Sequence, residues 1–293
     1  MKATARITWL ILMTLLATGS ASAQDGEREA EPLAYEIHGA GEPILFIHGS
    51  FMEDALLPIM DEAALQGYQR IQYDRAGYGE SPPRDEPFSF ERGVADALGL
   101  IRQLDLEGAH VVGYSLGGVI AVQLARSNPD VVKSLVLLEP PLPLVGLAEG
   151  PPPQFLLDGV ELWQAGEHEA ATDVFFQAVS SPTWSSDIQR GLPEGPEQIA
   201  RNAHLFFEGE LPAFQGYLID EADVENLDMP ILYVVSDRQT PYAQAARDRM
   251  DLIHAWLPQT ATLVVPETDH ALPLQQPELI ADAIAEFIER QAE

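Results

Sequence analysis

The chain has 293 residues, 46% hydrophobic and 21% charged, enough apolar material for a sizeable core; this excludes a disordered tail and a chain of many membrane spans. Its 16 Lys and Arg face 46 Asp and Glu, and a formal charge of −30 repels phosphate backbones, so nucleic acid is a poor partner. There is no cysteine, which removes disulfides, thiolate metal sites, cysteine nucleophiles and lipidated cysteine.

In chain order, the first segment reads as an address. Lys2 and Arg6 precede the apolar run Ile7 to Ala17, and Ala21-Ser22-Ala23 supplies small residues for cleavage after Ala23. Residues 1–23 are therefore expected to be a signal peptide, too short in its apolar part to span a bilayer comfortably. Losing Lys2 and Arg6 deepens the charge to −32. The mature protein is expected to be secreted or periplasmic, without membrane attachment after cleavage. Self-repulsion at this charge is screened by salt, which predicts tolerance of high salt. A base composition favouring Arg over Lys explains the scarcity of lysine equally well.

Strands are expected at Leu33 to His38 and Ile44 to His48, separated by Gly39-Ala40-Gly41, with a helix over Asp54 to Gln66 and a strand over Gln69 to Tyr73. Ser89 caps a helix running to about Leu104, with Val94, Leu98 and Ile101 on one face. A strand at Ala109 to Val112, a helix at Leu116 to Ser127 and a strand at Val132 to Leu138 follow. Prolines and aromatic, helix-leaning segments then replace the alternation over 140–228. It resumes with a strand at Ile231 to Val235, a helix at Tyr242 to Trp256, a strand at Thr262 to Val265 and a helix from Pro277. Continuous apolar strands between helices predict an α/β fold with a parallel sheet covered on both faces. The core is expected to take residues 24–139 and 229–293, with 140–228 as a helical cap insertion.

The chemistry gathers where strands end. Gly113-Tyr114-Ser115-Leu116-Gly117 follows a predicted strand and opens a predicted helix, the setting of a nucleophile elbow with Ser115 exposed at the turn. A serine hydroxyl needs a base, and His270, after the last strand, is the best placed of seven histidines. His48, beside Gly49, reads as a loop-fixing hydrogen bonder; the others read as surface or packing residues. An imidazole needs a carboxylate to set its tautomer. Asp237, at a strand end in Asp-Arg-Gln-Thr-Pro, gives the order Ser, Asp, His and is the expected acid; Glu139, at the strand end after the nucleophile, is the alternative. The N–H groups of Leu116 and Ser50 are the expected oxyanion donors. Phe51 and Tyr114, with Trp184 and Tyr217 among the insertion's aromatics, are candidate substrate contacts. Arg75, in the Gly-punctuated loop Tyr73 to Ser81, is expected to pin that face, with a carboxylate-gripping role as the alternative. No metal or cofactor is expected.

Taken together, His48-Gly49-Ser50, Asp74-Arg75-Ala76-Gly77-Tyr78-Gly79-Glu80-Ser81, Gly113-Tyr114-Ser115-Leu116-Gly117-Gly118, Asp237 to Pro241 and Asp269-His270 resemble the successive signatures of the α/β-hydrolase fold over about residues 33–290. The resemblance implies a mostly parallel, eight-stranded, doubly wound sheet, a Ser-His-Asp triad and a cap over the pocket. Val234 departs from it, standing where many relatives have Gly three residues before the acid. A serine nucleophile sets the chain apart from haloalkane dehalogenases and epoxide hydrolases, which use Asp, and from dienelactone hydrolases, which use Cys. The leading expectation is a cofactor-independent serine hydrolase acting on a small-molecule carboxylic ester through an acyl-enzyme. A cofactor-free perhydrolase or haloperoxidase is the second reading, and a non-catalytic binding protein of the same fold the third.

Overall fold

The structure is a computed structural model that describes residues 32–148 and 150–291. The expected signal peptide, residues 1–23, lies outside the described residues. Seven strands form one sheet among the described residues: β1 (Tyr35–His38), β2 (Pro43–Ile47), β3 (Gln69–Tyr73), β4 (Ala109–Tyr114), β5 (Val132–Leu138), β6 (Ile231–Ser236) and β7 (Ala261–Val265). Their order is β1-β3-β2-β4-β5-β6-β7, and only the β1–β3 pairing is antiparallel. The expected count was eight; the mostly parallel, doubly wound arrangement stands.

Period-two side-chain alternation divides each central strand between two cores. Leu45, Ile47, Val111, Leu135, Leu137, Tyr233 and Val235 face one core. That core is covered by α1 (Phe90–Gln103), α2 (Leu116–Ser127) and α7 (Pro241–Trp256). Ile44, Phe46, Val112, Val136, Leu138, Leu232 and Val234 face the other, covered by α8 (Pro277–Glu289) and by short turns before β3. Burial on both sides explains why these strands read as unbroken apolar runs. Ser89 caps α1 as expected, its side chain accepting from Arg92 N. The helix expected over Asp54 to Gln66 is instead a turn at Leu57–Met60 and a 3-10 turn at Ala63–Leu65, interrupted where Glu62 becomes extended.

Between β5 and β6 the chain is helical: α3 (Gln154–Gln164), α4 (His168–Val179), α5 (Trp184–Gly191) and α6 (Gly195–His204), the last running into a π-helical turn at Leu205–Glu210. The two ends of this insertion meet at a bridge between Leu144 and Ile219. Its apolar residues extend both cores: Phe176, Val179, Phe206 and Phe207 join the α8 side, and Leu144, Ile219 and Val224 the α1 side. Among the described residues no helix is long and apolar enough to cross a membrane.

Candidate active site

Ser115 stands between the fully buried β4 and the first turn of α2, with φ 51° and ψ −123°. A non-glycine residue holds this left-handed conformation only when its surroundings enforce it. Here the crossing is too tight for side chains: a Cβ on Gly113 would lie 2.6 Å from Gly117 O, and one on Gly117 would lie 2.1 Å from Ile47 O. Ser115 N donates to Leu138 O at 2.9 Å, and Gly118 N donates back to Ser115 O at 2.9 Å. The hydroxyl is thus raised on a fixed backbone, with the N–H of Leu116 at the first helical position, where no intrahelical acceptor exists.

His270 follows β7 on a loop turned by Glu267 (φ 59°). Its Nε2 lies 3.0 Å from Ser115 Oγ and its Nδ1 lies 2.8 Å from Glu139 Oε2. A carboxylate only accepts, so Nδ1 carries the proton and Nε2 offers its lone pair to the serine hydroxyl. Tyr114 Oη donates to His270 O at 2.8 Å, and the rings of Tyr114 and Tyr242 flank the imidazole at 5.3 and 4.8 Å. Tyr114 therefore fixes His270, a different task from the substrate contact expected of it. Tyr242, missed in the sequence, shares this task.

The carboxylate on the imidazole is Glu139, the alternative, and not Asp237. Glu139 follows β5 at φ 46°, its N–H bonded to Val234 O at 2.9 Å. Its Oε1 accepts from Ser236 N at 2.7 Å and Ser236 Oγ at 2.5 Å, which leaves Oε2 for His270. Burial alone would raise its pKa, but the bonds from His270 and Ser236 outweigh burial and hold it below the ordinary carboxylate value. Asp237 lies one residue beyond Ser236, half-buried, and its Oδ1 accepts from Thr268 N at 3.3 Å. Period-two alternation is the reason: the strand end that aims Ser236 at Glu139 turns the next side chain toward the loop before His270. Arg238 completes this second fastening, with its N–H on Thr268 O at 3.2 Å and its Nη1 on Asp269 Oδ2 at 2.6 Å. Asp269, buried, also accepts from Ala271 N and Gln275 Nε2.

On the other side of Ser115 lies the loop after β2. A Cβ on Gly49 would be 3.0 Å from Ser115 Cβ, so glycine lets this backbone close on Ser115. His48 Nδ1 donates to Gly49 O at 2.7 Å while its Nε2 accepts from Arg75 N at 3.0 Å. Burial, and secondarily the charge of Arg75, hold the His48 pKa well below the imidazole range, so this ring is a neutral strut, as expected. Arg75 is buried and its Nη2 donates to Gly49 O at 2.9 Å and to Glu210 Oε1 at 2.5 Å. It pins the loop, as expected; its charge is committed to Glu210 rather than left for a substrate carboxylate. Among the described residues Ser50 N–H makes no hydrogen bond.

Phe51 (φ 71°) continues this loop and is packed by Phe175, Phe176 and Phe206 of the insertion at ring separations of 5.2, 5.0 and 4.7 Å. Trp184 stands one layer out, stacked on Phe176 at 4.7 Å with Nε1 on Asp173. Tyr217 is elsewhere: it stacks on Phe90 at 4.4 Å and donates to Gln123, fastening the insertion to α1 and α2. Among the other histidines, buried His110 bonds Ser134 as a packing group, while His168, stacked on Trp163, and His254, bonded to Thr260 O, lie at the surface. Among the described residues no group of three or more His, Asp or Glu is placed to hold a metal ion.

The sequence profile of the alpha/beta hydrolase family matches residues 44–283. A Bacillus subtilis (strain 168) protein named as a candidate 2-succinyl-6-hydroxy-2,4-cyclohexadiene-1-carboxylate synthase is 24% identical, over 93% of this chain and 99% of its own. A Synechocystis protein named as a candidate non-heme chloroperoxidase is 27% identical, over 69% of this chain and 76% of its own. A structure described in work on carboxylesterases of Nitrososphaera gargenis superposes with a TM-score of 0.71 at 15% identity, covering 88% of this chain and 94% of that one. At that identity the likeness concerns the fold. The profile takes in the elbow, the histidine loop, the insertion and every strand but β1, and the chain belongs to the alpha/beta hydrolase family.

Proposed function

We propose that this protein is a serine hydrolase that cleaves a small-molecule carboxylic ester through an acyl-enzyme, with Ser115 as nucleophile, His270 as general base and Glu139 as the orienting acid. The observation that supports this most is the unbroken chain from Glu139 Oε2 through both nitrogens of His270 to Ser115 Oγ, at 2.8 and 3.0 Å. Nε2 takes the hydroxyl proton as Oγ attacks the ester carbonyl. The negative charge that develops on the carbonyl oxygen falls between the N–H groups of Ser50 and Leu116. His270 then returns the proton to the departing alcohol, and a water activated by the same Nε2 releases the acid. Glu139 stays ionised throughout and stabilises the imidazolium.

Fluorophosphonate labelling tests the assignment directly. Wild type should be modified at Ser115, and Ser115→Ala should lose the label together with roughly 10³-fold or more of the ester turnover. Labelling at another serine removes Ser115 as nucleophile; no labelling of a folded wild type leaves the binding-protein reading. A panel of 4-nitrophenyl esters of rising acyl length then ranks substrates. The likeness to a protein named as a candidate chloroperoxidase favours one second reading, perhydrolysis by the same three residues. Halide oxidation that needs both peroxide and a short carboxylic acid, exceeding ester turnover, would support it. Export is proposed on the charge, apolar run and small residues of 1–23; a mature N-terminus at Gln24 in the extracellular or periplasmic fraction tests it.

A further inference from the structure

We propose that Arg75 and Glu210 form a relay by which the insertion positions the oxyanion peptide, making both of them positioning residues for catalysis at Ser115; this rests on the hydrolase reading above. A trans peptide is planar, with its C=O and N–H pointing in opposite directions. Whatever holds Gly49 O therefore aims Ser50 N–H. Two donors hold it: His48 Nδ1 at 2.7 Å and Arg75 Nη2 at 2.9 Å. A guanidinium on the carbonyl also polarises the peptide and strengthens the N–H on its far edge as a donor.

The next peptide is held from the same point. Phe51 N–H donates to Tyr78 Oη at 3.3 Å, and Tyr78 Oη donates to Glu210 Oε1 at 2.8 Å. That oxygen also accepts from Arg75 Nη2. The peptides on both sides of Ser50 are thus both tied to one carboxylate oxygen, beside the bonds from His48 Nδ1 to Gly49 O and from Met52 N, at 2.9 Å, to Ser50 O, and Ser50 N–H is left as the free donor between them. Glu210 is 2% exposed and Arg75 4%. A guanidinium so buried needs its counter-charge, and the loop Tyr73 to Ser81 does not supply it; the insertion does, at the last residue of its π-helical turn. Tyr78 is kept protonated, first by burial and then by Glu210, and so remains a donor.

A pair that only fastened the insertion would affect folding and leave the chemical step alone, and this distinguishes the two roles. The experiment uses the full chain, wild type beside Glu210→Gln, Arg75→Met and the double variant. It reads melting temperature, kcat and KM on 4-nitrophenyl acetate, and the second-order rate of fluorophosphonate labelling. Arg75→Met leaves Glu210 as an unpaired buried charge and should be the least stable; the double variant, which removes both charges, should melt higher than Arg75→Met. The relay predicts that the double variant stays about 10²-fold below wild type in kcat and in labelling rate, with KM within about threefold. Glu210→Gln, which keeps the acceptor oxygen and loses the charge, should fall about tenfold in both. Recovery of kcat along with the melting temperature in the double variant overturns the relay. So does a wild type that labels at Ser115 beside variants that label as fast. A folded wild type that does not label removes the hydrolase reading, and the relay with it.

Discussion

The ends of β5 and β6 are neighbours in the sheet, and each is followed by a carboxylate near the His270 loop. At the end of β5, Glu139 is buried, bent to a left-handed backbone and bonded through one oxygen to Ser236 and through the other to His270 Nδ1. At the end of β6, Asp237 is half-buried and bonded to a backbone N–H, that of Thr268. The first sets the tautomer of a side chain; the second sets the course of a loop. Proximity of a carboxylate to a histidine therefore says little until the acceptor's partner atom is known. Orientation at the imidazole governs rate, whereas orientation of the preceding backbone governs stability and acts on rate only at second hand.

The largest effect should follow from removing the charge at the end of β5. Glu139→Gln keeps the shape and the bonds to Ser236 but cannot accept the Nδ1 proton in the same way and cannot stabilise the imidazolium. Turnover should fall by roughly 10³- to 10⁴-fold with little change in KM. The same variant carries a pH signature. The folded pKa of Glu139 lies below its ordinary value of 4.5. Its ionised form therefore contributes stability that is present above 4.5 and lost as pH falls from there through the folded value. The melting temperature of wild type relative to Glu139→Gln should accordingly drop on acidification below 4.5 and stay level above it. A difference that grows on acidification would mean that the carboxyl is buried neutral.

Next in size is Ser236→Ala, which touches Glu139 and leaves His270 and Ser115 alone. Two of the bonds that hold Glu139 down in pKa come from Ser236, and the hydroxyl supplies one of them. Its loss lets the Glu139 pKa rise and frees one torsion of the side chain, so kcat should fall about tenfold. The fall in melting temperature on acidification below 4.5 should shrink with it. Ser236→Thr, which keeps a hydroxyl, should recover most of both. A fall in melting temperature on acidification that stays as large while kcat drops would separate the position of Glu139 from its ionisation and leave only the former to Ser236.

Much of this site can be read from the chain because local pattern dictates it. Apolar runs bounded by glycine and polar turns mark β4 and β5, and Gly113 and Gly117 are dictated by a crossing that admits no Cβ. His270 is identified by its place after the last strand. The choice between Glu139 and Asp237 is not local. It depends on the pairing of Leu138 with Val234, which brings the residue after β5 beside the end of β6, and on the side to which each side chain then points. Nor is the partner of Arg75 readable, because Glu210 lies 135 residues away in a segment with no strand to fix its register. Where a side chain finds its partner across the sheet or from the insertion, composition and spacing carry no signal for the pairing. The same holds for Tyr217, an aromatic of the insertion that faces Phe90 and Gln123 rather than Ser115.

The smallest effect belongs to the end of β6, and it is the sharpest check on the contrast between the two carboxylates. Asp237→Ala removes a single, rather long acceptor for Thr268 N–H at a half-buried position. The loop before His270 keeps its other ties: Arg238 N–H on Thr268 O, Arg238 Nη1 on Asp269, Thr268 Oγ1 on Val265 O and Gln275 on Asp269. Loss of one hydrogen bond to a charged acceptor that water can partly replace should lower stability by about 1 kcal/mol. With the imidazole still gripped by Glu139 and by Tyr114 on its backbone, kcat should change by less than about threefold, and the pH profile should not move. Chemical denaturation and steady-state kinetics on the same preparation measure both. A fall in kcat that rivals Glu139→Gln, with stability intact, would return the orienting role to Asp237; equal stability and equal activity would show that Arg238 and Asp269 alone hold the loop.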